Sequence, residues 1–444
     1  MKFTKMSLVA ALLVGSSAFA IENVKVSGDA KLYYTTSDNN YVLDTAGTKS
    51  ASNNLFGKGN AAGEAAVSLN LTADLTKNIS AGVKATAITT LGLYNNMVSS
   101  TWTGGTVDTY VVNEAWLATT LGKTTVKIGR MPLDTPLVHT ETWSLVENTF
   151  EAAVVINQDL PDTTLVGAYV GQHNSAAALG GGLDSGATAA NQESSFKSFY
   201  NGAYAVGIVN NSIKPVTLQG WYYGAQTDVN VQTLLGNAAF AGVKMSHVDA
   251  YWLEADGSIE GILAGAQYSY IKTDLKGAGV SSINNDVFAA MLGYEMKDVA
   301  TLKVAYSSTG KEKIAGLPAG FNLATLADKN GVMRGADSKL YTEAWWNYGY
   351  VTGADTDTLH ISAEGKAAGL DLGAYYTYAN AGKNGGTVAG NDMKEFTATI
   401  GKTVGPLDAT LAYVYSKIDD QNQKTATEKG SAFSTVQAYL TLNF

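Results

Sequence analysis

Ser434-Thr435-Val436-Gln437-Ala438-Tyr439-Leu440-Thr441-Leu442-Asn443-Phe444 is the stretch whose reading decides the fold. Val436, Ala438, Leu440, Leu442 and Phe444 share one face of an extended chain. Thr435, Gln437, Tyr439, Thr441 and Asn443 share the other. The same period of two recurs over Val24 to Tyr34, Ala65 to Leu75, Ile262 to Tyr270, Leu370 to Tyr378 and Leu407 to Tyr415. Each run approaches the roughly 9–11 residues that a tilted strand needs to cross a bilayer. Strands of soluble sheets average about 5–6 residues.

Working outward, the alternation predicts eighteen strands, with sixteen as the alternative count. Short connections are expected at Thr76-Lys77-Asn78, Leu121-Gly122-Lys123, Asp256-Gly257-Ser258 and Gly405-Pro406. Long ones are expected at 35–63, 131–150, 171–200, 308–356 and 417–433. Short turns on one side and long loops on the other characterise an outer-membrane barrel, and an even count leaves both ends on the short-turn side. Strands rising toward the long loops finish in tyrosine, as at Tyr169, Tyr222-Tyr223, Tyr268, Tyr270, Tyr306, Tyr413 and Tyr415. Such rings suit the boundary between hydrocarbon and headgroups. Three strands are ambiguous in facing, since Asn113, Glu114 and Glu295 fit neither register, and 341–350 reads as an extra strand or a folded loop. The fold class expected is all-β, a transmembrane antiparallel barrel with long external loops.

The rest of the sequence fits export. Lys2 and Lys5, an apolar run from Met6 to Gly15 and the ending Ala18-Phe19-Ala20 read as a signal peptide over 1–20, with a single barrel over 21–444. The 444 residues include 47 glycines, 24 tyrosines and 6 prolines, and cysteine is absent, so stability must come without disulfides. The formal net charge of −9, two units lower once Lys2 and Lys5 are removed, argues against a nucleic-acid partner. The expected location is the bacterial outer membrane, with its lipid and lipopolysaccharide as surroundings. Phe444, ending an apolar face, resembles the signal that the barrel assembly machinery reads.

The third long loop, 131–150, carries the best candidate site. It opens with Gly129-Arg130-Met131-Pro132-Leu133-Asp134-Thr135-Pro136-Leu137 and closes with Thr149-Phe150-Glu151. Pro132 and Pro136 cannot donate ladder hydrogen bonds, so the strand must stop there. Asp134, Glu141 and Glu147 face one imidazole, His139, and the flanking Arg130. Carboxylates in a narrow, low-dielectric passage raise the local cation concentration. Arg130 fits either an opposite-charge wall of the passage or a latch holding the loop to the barrel. Asp29, Lys31, Lys84, Lys127, Lys303, Glu364, Asp371 and Asp408 take the face opposite the apolar one. A lysine on the lipid face at the bilayer midplane would cost roughly 2–4 kcal/mol, so these charges imply a wet interior.

This loop motif resembles the third loop of Opr-type porins, including the Campylobacter-type major outer membrane porins. The resemblance implies an 18-stranded barrel, usually a homotrimer, with an inward-folded third loop that narrows a water-filled pore. It also raises calcium at the constriction, without matching ligands in this chain. The expected function is passive diffusion of ions and small hydrophilic solutes, mildly cation-selective. Alternatives are a substrate-selective channel, with Trp143, Trp345 and Trp346 as a binding track, and a chiefly structural or adhesive barrel. Catalysis is not expected: His360 and Ser362 lie two apart on a strand, but on the face away from lipid. The four histidines lack the spacing of a zinc site. If the third loop is not the constriction, Arg334, Asp337 and Glu343 are the next candidates.

Overall fold

The computed structural model describes residues 21–39, 54–101, 108–143, 145–174, 197–228, 230, 241–277, 282–311, 313–315, 339–382, 392–419, 422 and 430–444. The expected signal segment, Arg334 and Asp337 lie outside them. Alternating β-branched, aromatic and small or polar residues build one antiparallel sheet. Its first half runs β1 (Glu22–Ser37), β2 (Ala61–Thr76), β3 (Ile79–Thr89), β4 (Asp108–Leu121), β5 (Thr124–Met131), β6 (Phe150–Asn157), β7 (Thr163–His173), β8 (Lys197–Asn210) and β9 (Val216–Gln226). The second half runs β10 (Lys244–Ile259), β11 (Ile262–Lys276), β12 (Ser282–Met296), β13 (Ala300–Thr309), β14 (Lys313–Ala315), β15 (Thr356–Ala367), β16 (Leu370–Ala381), β17 (Met393–Val404), β18 (Leu407–Ile418) and β19 (Phe433–Asn443). β14 is a three-residue stub on the outer end of β12. The other eighteen strands close on themselves, because β1 pairs with β2 on one edge and β19 on the other. The expected barrel of eighteen strands is borne out.

Closure is finished by the last residue. Gly28 and Phe444 exchange two backbone hydrogen bonds, of 2.7 and 2.9 Å. A Cβ on Gly28 would lie 2.6 Å from the Phe444 ring, so only glycine lets that ring cross the first strand.

The outer face is apolar. Leu440, Leu442 and Phe444 are exposed there, while Thr435 and Gln437 on the opposite face are buried. Val83, Leu117, Ile128, Leu253, Leu302, Ile361 and Leu411 continue the exposed belt around the sheet. A continuous apolar belt on a closed antiparallel sheet is a lipid-facing surface. Above it stands a chain of rings, Tyr204, Tyr222, Tyr251 and Tyr270, each 5.1–6.3 Å from the next.

Bulges account for two of the three ambiguous strands. In β4, Lys84 pairs with Glu114 but Ala85 pairs with Val112, so Asn113 is an extra residue. Alternation changes phase there: Tyr110 and Val112 point outward above it, Leu117 below. In β10 the register slips at Ser246, so that buried Met245 and buried Val248 share the inner face. β12 is regular between its partners, and Glu295 takes the inner register beside outward Tyr294. One expected turn is misplaced. Asp256-Gly257-Ser258 stays in β10, and the chain reverses at Glu260-Gly261, both with positive φ of 50° and 84°. That pair has the backbone a tight hairpin needs, whereas Gly257 is small because Pro215 O lies against it.

Candidate pore constriction

Beyond Met131 the chain turns into the barrel. Pro132–Thr149 first forms a small hairpin, with Thr135 N donating to Val138 O at 3.1 Å and Thr140 N to Leu133 O at 2.8 Å. Buried Leu137 and Val138 pack on Val170, Ala203, Tyr223 and Val248 of β7 to β10. The returning limb buries Leu145 and Val146 against Tyr33, Ala66, Ile88 and Val111 of β1 to β4. The loop therefore lies along the inner wall on both sides of its origin. Asn148 clamps its middle, accepting from Glu141 N at 2.6 Å and donating to His139 O at 3.0 Å.

The bulge at Asn113 serves this loop. Its side chain donates to Glu147 O at 3.0 Å, and its own carbonyl accepts from Thr149 Oγ1 at 2.7 Å. Where β5 leaves the sheet, Arg130 bridges the gap. Its guanidinium donates to Glu151 on β6 at 2.5 and 3.2 Å and to Val112 O on β4 at 2.6 Å. Of the two roles the residue type allows, this geometry is the latch. Arg130 pairs in register with exposed Ala115, on the face of Ile128, so it does not stand on the inner wall.

The other candidate residues divide into three places. Glu147 meets Lys84 at 2.6 Å and Lys31 at 4.0 Å, and Lys84 meets Asp29 at 4.0 Å. Two ammoniums and two carboxylates thus form one cluster on the inner wall. Asp134 is paired with Lys339, and Glu141 accepts from Trp143 Nε1 at 2.5 Å. Nearer the short turns, Lys127 lies 4.0 Å from the Trp116 ring. There Glu364 accepts from Tyr375 OH at 2.6 Å, Asp371 pairs with Lys366 at 3.0 Å, and Asp408 accepts from Thr403 and Asn443. Lys303 lies beside Ser362 in register, on the inner face. His360 Nδ1 is 2.9 Å from Thr377 Oγ1, also inside, while Leu359 and Ile361 meet lipid. Among the described residues no three carboxylate or imidazole groups converge. With Glu147 and Asp134 held by lysines, the residues as placed do not fit a calcium ion at the constriction.

The stretch left open between strand and loop is a loop. Residues 339–351, with a short 3-10 turn at Tyr348–Tyr350, fold inward and line the other half of the wall. Glu254 on β10 gathers Gln219, Trp252, Gln267 and Tyr341, the last at 2.7 Å from its hydroxyl. Burial first, and then Glu254, push the Tyr341 phenol above its ordinary value, so it remains a donor. At the far end buried Glu395 on β17 accepts from Trp346 N at 3.0 Å and Asn347 N at 2.7 Å. The sequence reading missed both anchors. Glu395 carries a signal all the same, an acid between outward Lys394 and Phe396. The two segments also touch one another. Lys339 N donates to Pro136 O at 3.3 Å, beside the Asp134 ion pair, and the Trp143 and Trp346 rings meet edge-on at 5.6 Å.

A closed eighteen-stranded barrel with a lipid-facing belt and inward-folded loops defines an outer-membrane β-barrel of the porin type. Solved structures agree. Pseudomonas aeruginosa OccK3 (OpdO) superposes with a TM-score of 0.63 at 12% identity, over 98% of this chain and 99% of that one. P. aeruginosa OpdK, in a structure with vanillate, gives 0.62 at 13% over 95% and 98%. Acinetobacter baumannii OccAB1 gives 0.66 at 10% over 95% and 97%. In sequence, the chain matches no protein-family model and no curated protein. These likenesses show the barrel fold, and they do not single out the Campylobacter-type form to which the third-loop motif was likened.

Proposed function

We propose that this protein is a passive channel for small hydrophilic solutes, narrowed enough to discriminate among them. The observation that carries the reading is the contact between two inward segments, at Asp134–Lys339 and at Trp143–Trp346. A single inward loop leaves a wide passage. Two that line complementary halves of the wall and meet at their edges leave a smaller one, set with rings and with both signs of charge. This favours the substrate-selective alternative over unselective diffusion. Cation preference is expected to be weak, since the acids of the third loop stand beside lysines.

Purified protein in a planar bilayer tests this. Discrete conductance steps are expected, with concentration-dependent block by some solutes and not by others of equal size. Vanillate, present with OpdK, is a reasonable first aromatic carboxylate to try. Equal passage of solutes matched in size, charged or aromatic, would return the protein to an unselective porin. Absence of conductance would leave a structural or adhesive barrel.

A further inference from the structure

The outward face of β16, β17 and β18 carries a feature that passage through the lumen does not use. Lys394 and Lys417 pair directly across β17 and β18. Both are exposed, on the register of Phe396 and Tyr415, which face lipid. Like charges directly opposite on a sheet repel. Among the described residues no carboxylate lies within ion-pairing distance of either lysine. The Lys394 ammonium instead turns toward β16 and lies 5.0 Å from the Tyr378 ring. The Lys394 ammonium thus stands over a ring of β16, with Lys417 beside it on β18.

Their height fixes what could meet them. Each lysine is one outward step above Phe396 or Tyr415, about 6–7 Å along the strand. Below those rings the same register descends through Ile400, Leu411 and Leu372, all exposed. An acyl chain lying on that strip would bring its headgroup to the lysines. We propose that Lys394, Lys417 and the Tyr378 ring form a site for the phosphate of an outer-leaflet glycolipid of the lipopolysaccharide type. The other in-register lysine pair, Lys244 with Lys276, provides an internal contrast. Asp274, two residues before Lys276, pairs with Lys272 at 2.8 Å, and among the described residues neither lysine of this pair lies over an aromatic ring.

The experiment uses the full protein in detergent, with lipid A as probe and dephosphorylated lipid A and inorganic phosphate as the other arms. Binding is read by native mass spectrometry and by the shift of the unfolding temperature. Lipid A should bind and stabilise, and the two other probes should not. K394Q/K417Q should weaken lipid A binding by about thirty-fold, on the order of the attraction two lysines supply near an anionic surface. K394R/K417R should retain it, and K244Q/K276Q should lose less than about threefold. Unchanged conductance of K394Q/K417Q would show that the barrel is intact. Binding of lipid A that survives K394Q/K417Q overturns the proposal. So does equal loss in K244Q/K276Q, which would mean net charge alone, or equal stabilisation by inorganic phosphate, which would mean no lipid is recognised.

Discussion

Glu147 shows what a residue type can and cannot announce. An acid in the third loop is visible in the sequence, but Lys84 and Lys31 lie on other strands, more than sixty residues away, and only closure of the sheet brings them within 2.6 and 4.0 Å. The cluster changes what removal of charge should do. Glu147→Gln leaves two ammoniums facing Asp29 alone, so the inner wall becomes positive at that point. The reversal potential in a salt gradient should move toward anions, and more at low salt, where the Debye length exceeds about 10 Å. Losing a charged, half-buried partner of Lys84 should also cost about 1–3 kcal/mol, seen as a lower unfolding temperature in detergent. An unmoved reversal potential would put the cluster away from the ion path. Arg130 was equally visible, yet its role depended on where β5 stops, which side-chain chemistry does not encode.

At the scale of elements, regular strands were legible because their alternation is continuous. β19 and β18 needed nothing more than the period of two. The failures are places where something interrupts that period. The extra residue Asn113 shifts β4 by one, and an Asp-Gly pair inside β10 mimics a turn that falls at Glu260-Gly261. Residues 339–351 were undecided for another reason: they are held by side chains of the wall rather than by a ladder of their own. Tyr341 is the test of that hold. Tyr341→Phe removes one hydrogen bond to the Glu254 carboxylate, worth about 1.5–3 kcal/mol, while leaving the ring over Gly265. Single-channel records should become noisier, with excursions to larger conductance, and the melting of the β-sheet signal should stay within a few degrees. Quiet, unaltered traces would mean that Glu395 alone fixes the segment.

For the whole molecule, the decisive event is the meeting of β1 with β19. Every other strand pairs with a near neighbour in sequence, while this pairing joins Asp29 to Asn443 and must wait for the entire chain. Phe444 and Gly28 complete it, so both deletion of Phe444 and Gly28→Val should impair closure. The expected outcome is less protein in the outer membrane and loss of the compact, heat-modifiable band in unboiled detergent gels, with Gly28→Ala intermediate. Normal insertion of both variants would show that the ring closes without this contact. The barrel itself was readable in the sequence, two bulges and one turn aside, because lipid imposes one rule on every strand. The constriction was readable only in part, because it is built from contacts between two loops far apart in the chain.

The junction of Trp143 with Trp346 has one more implication, for anyone who would adapt the molecule. The hoop of strands supplies strength, and in the proposed reading the aperture is set by side chains that meet across it, outside the strand ladder. Calibre and stability are thus separable design variables. Exchanging the two indoles for smaller or charged groups should yield a graded series of nanopores on one unchanged frame, each sized for a different analyte.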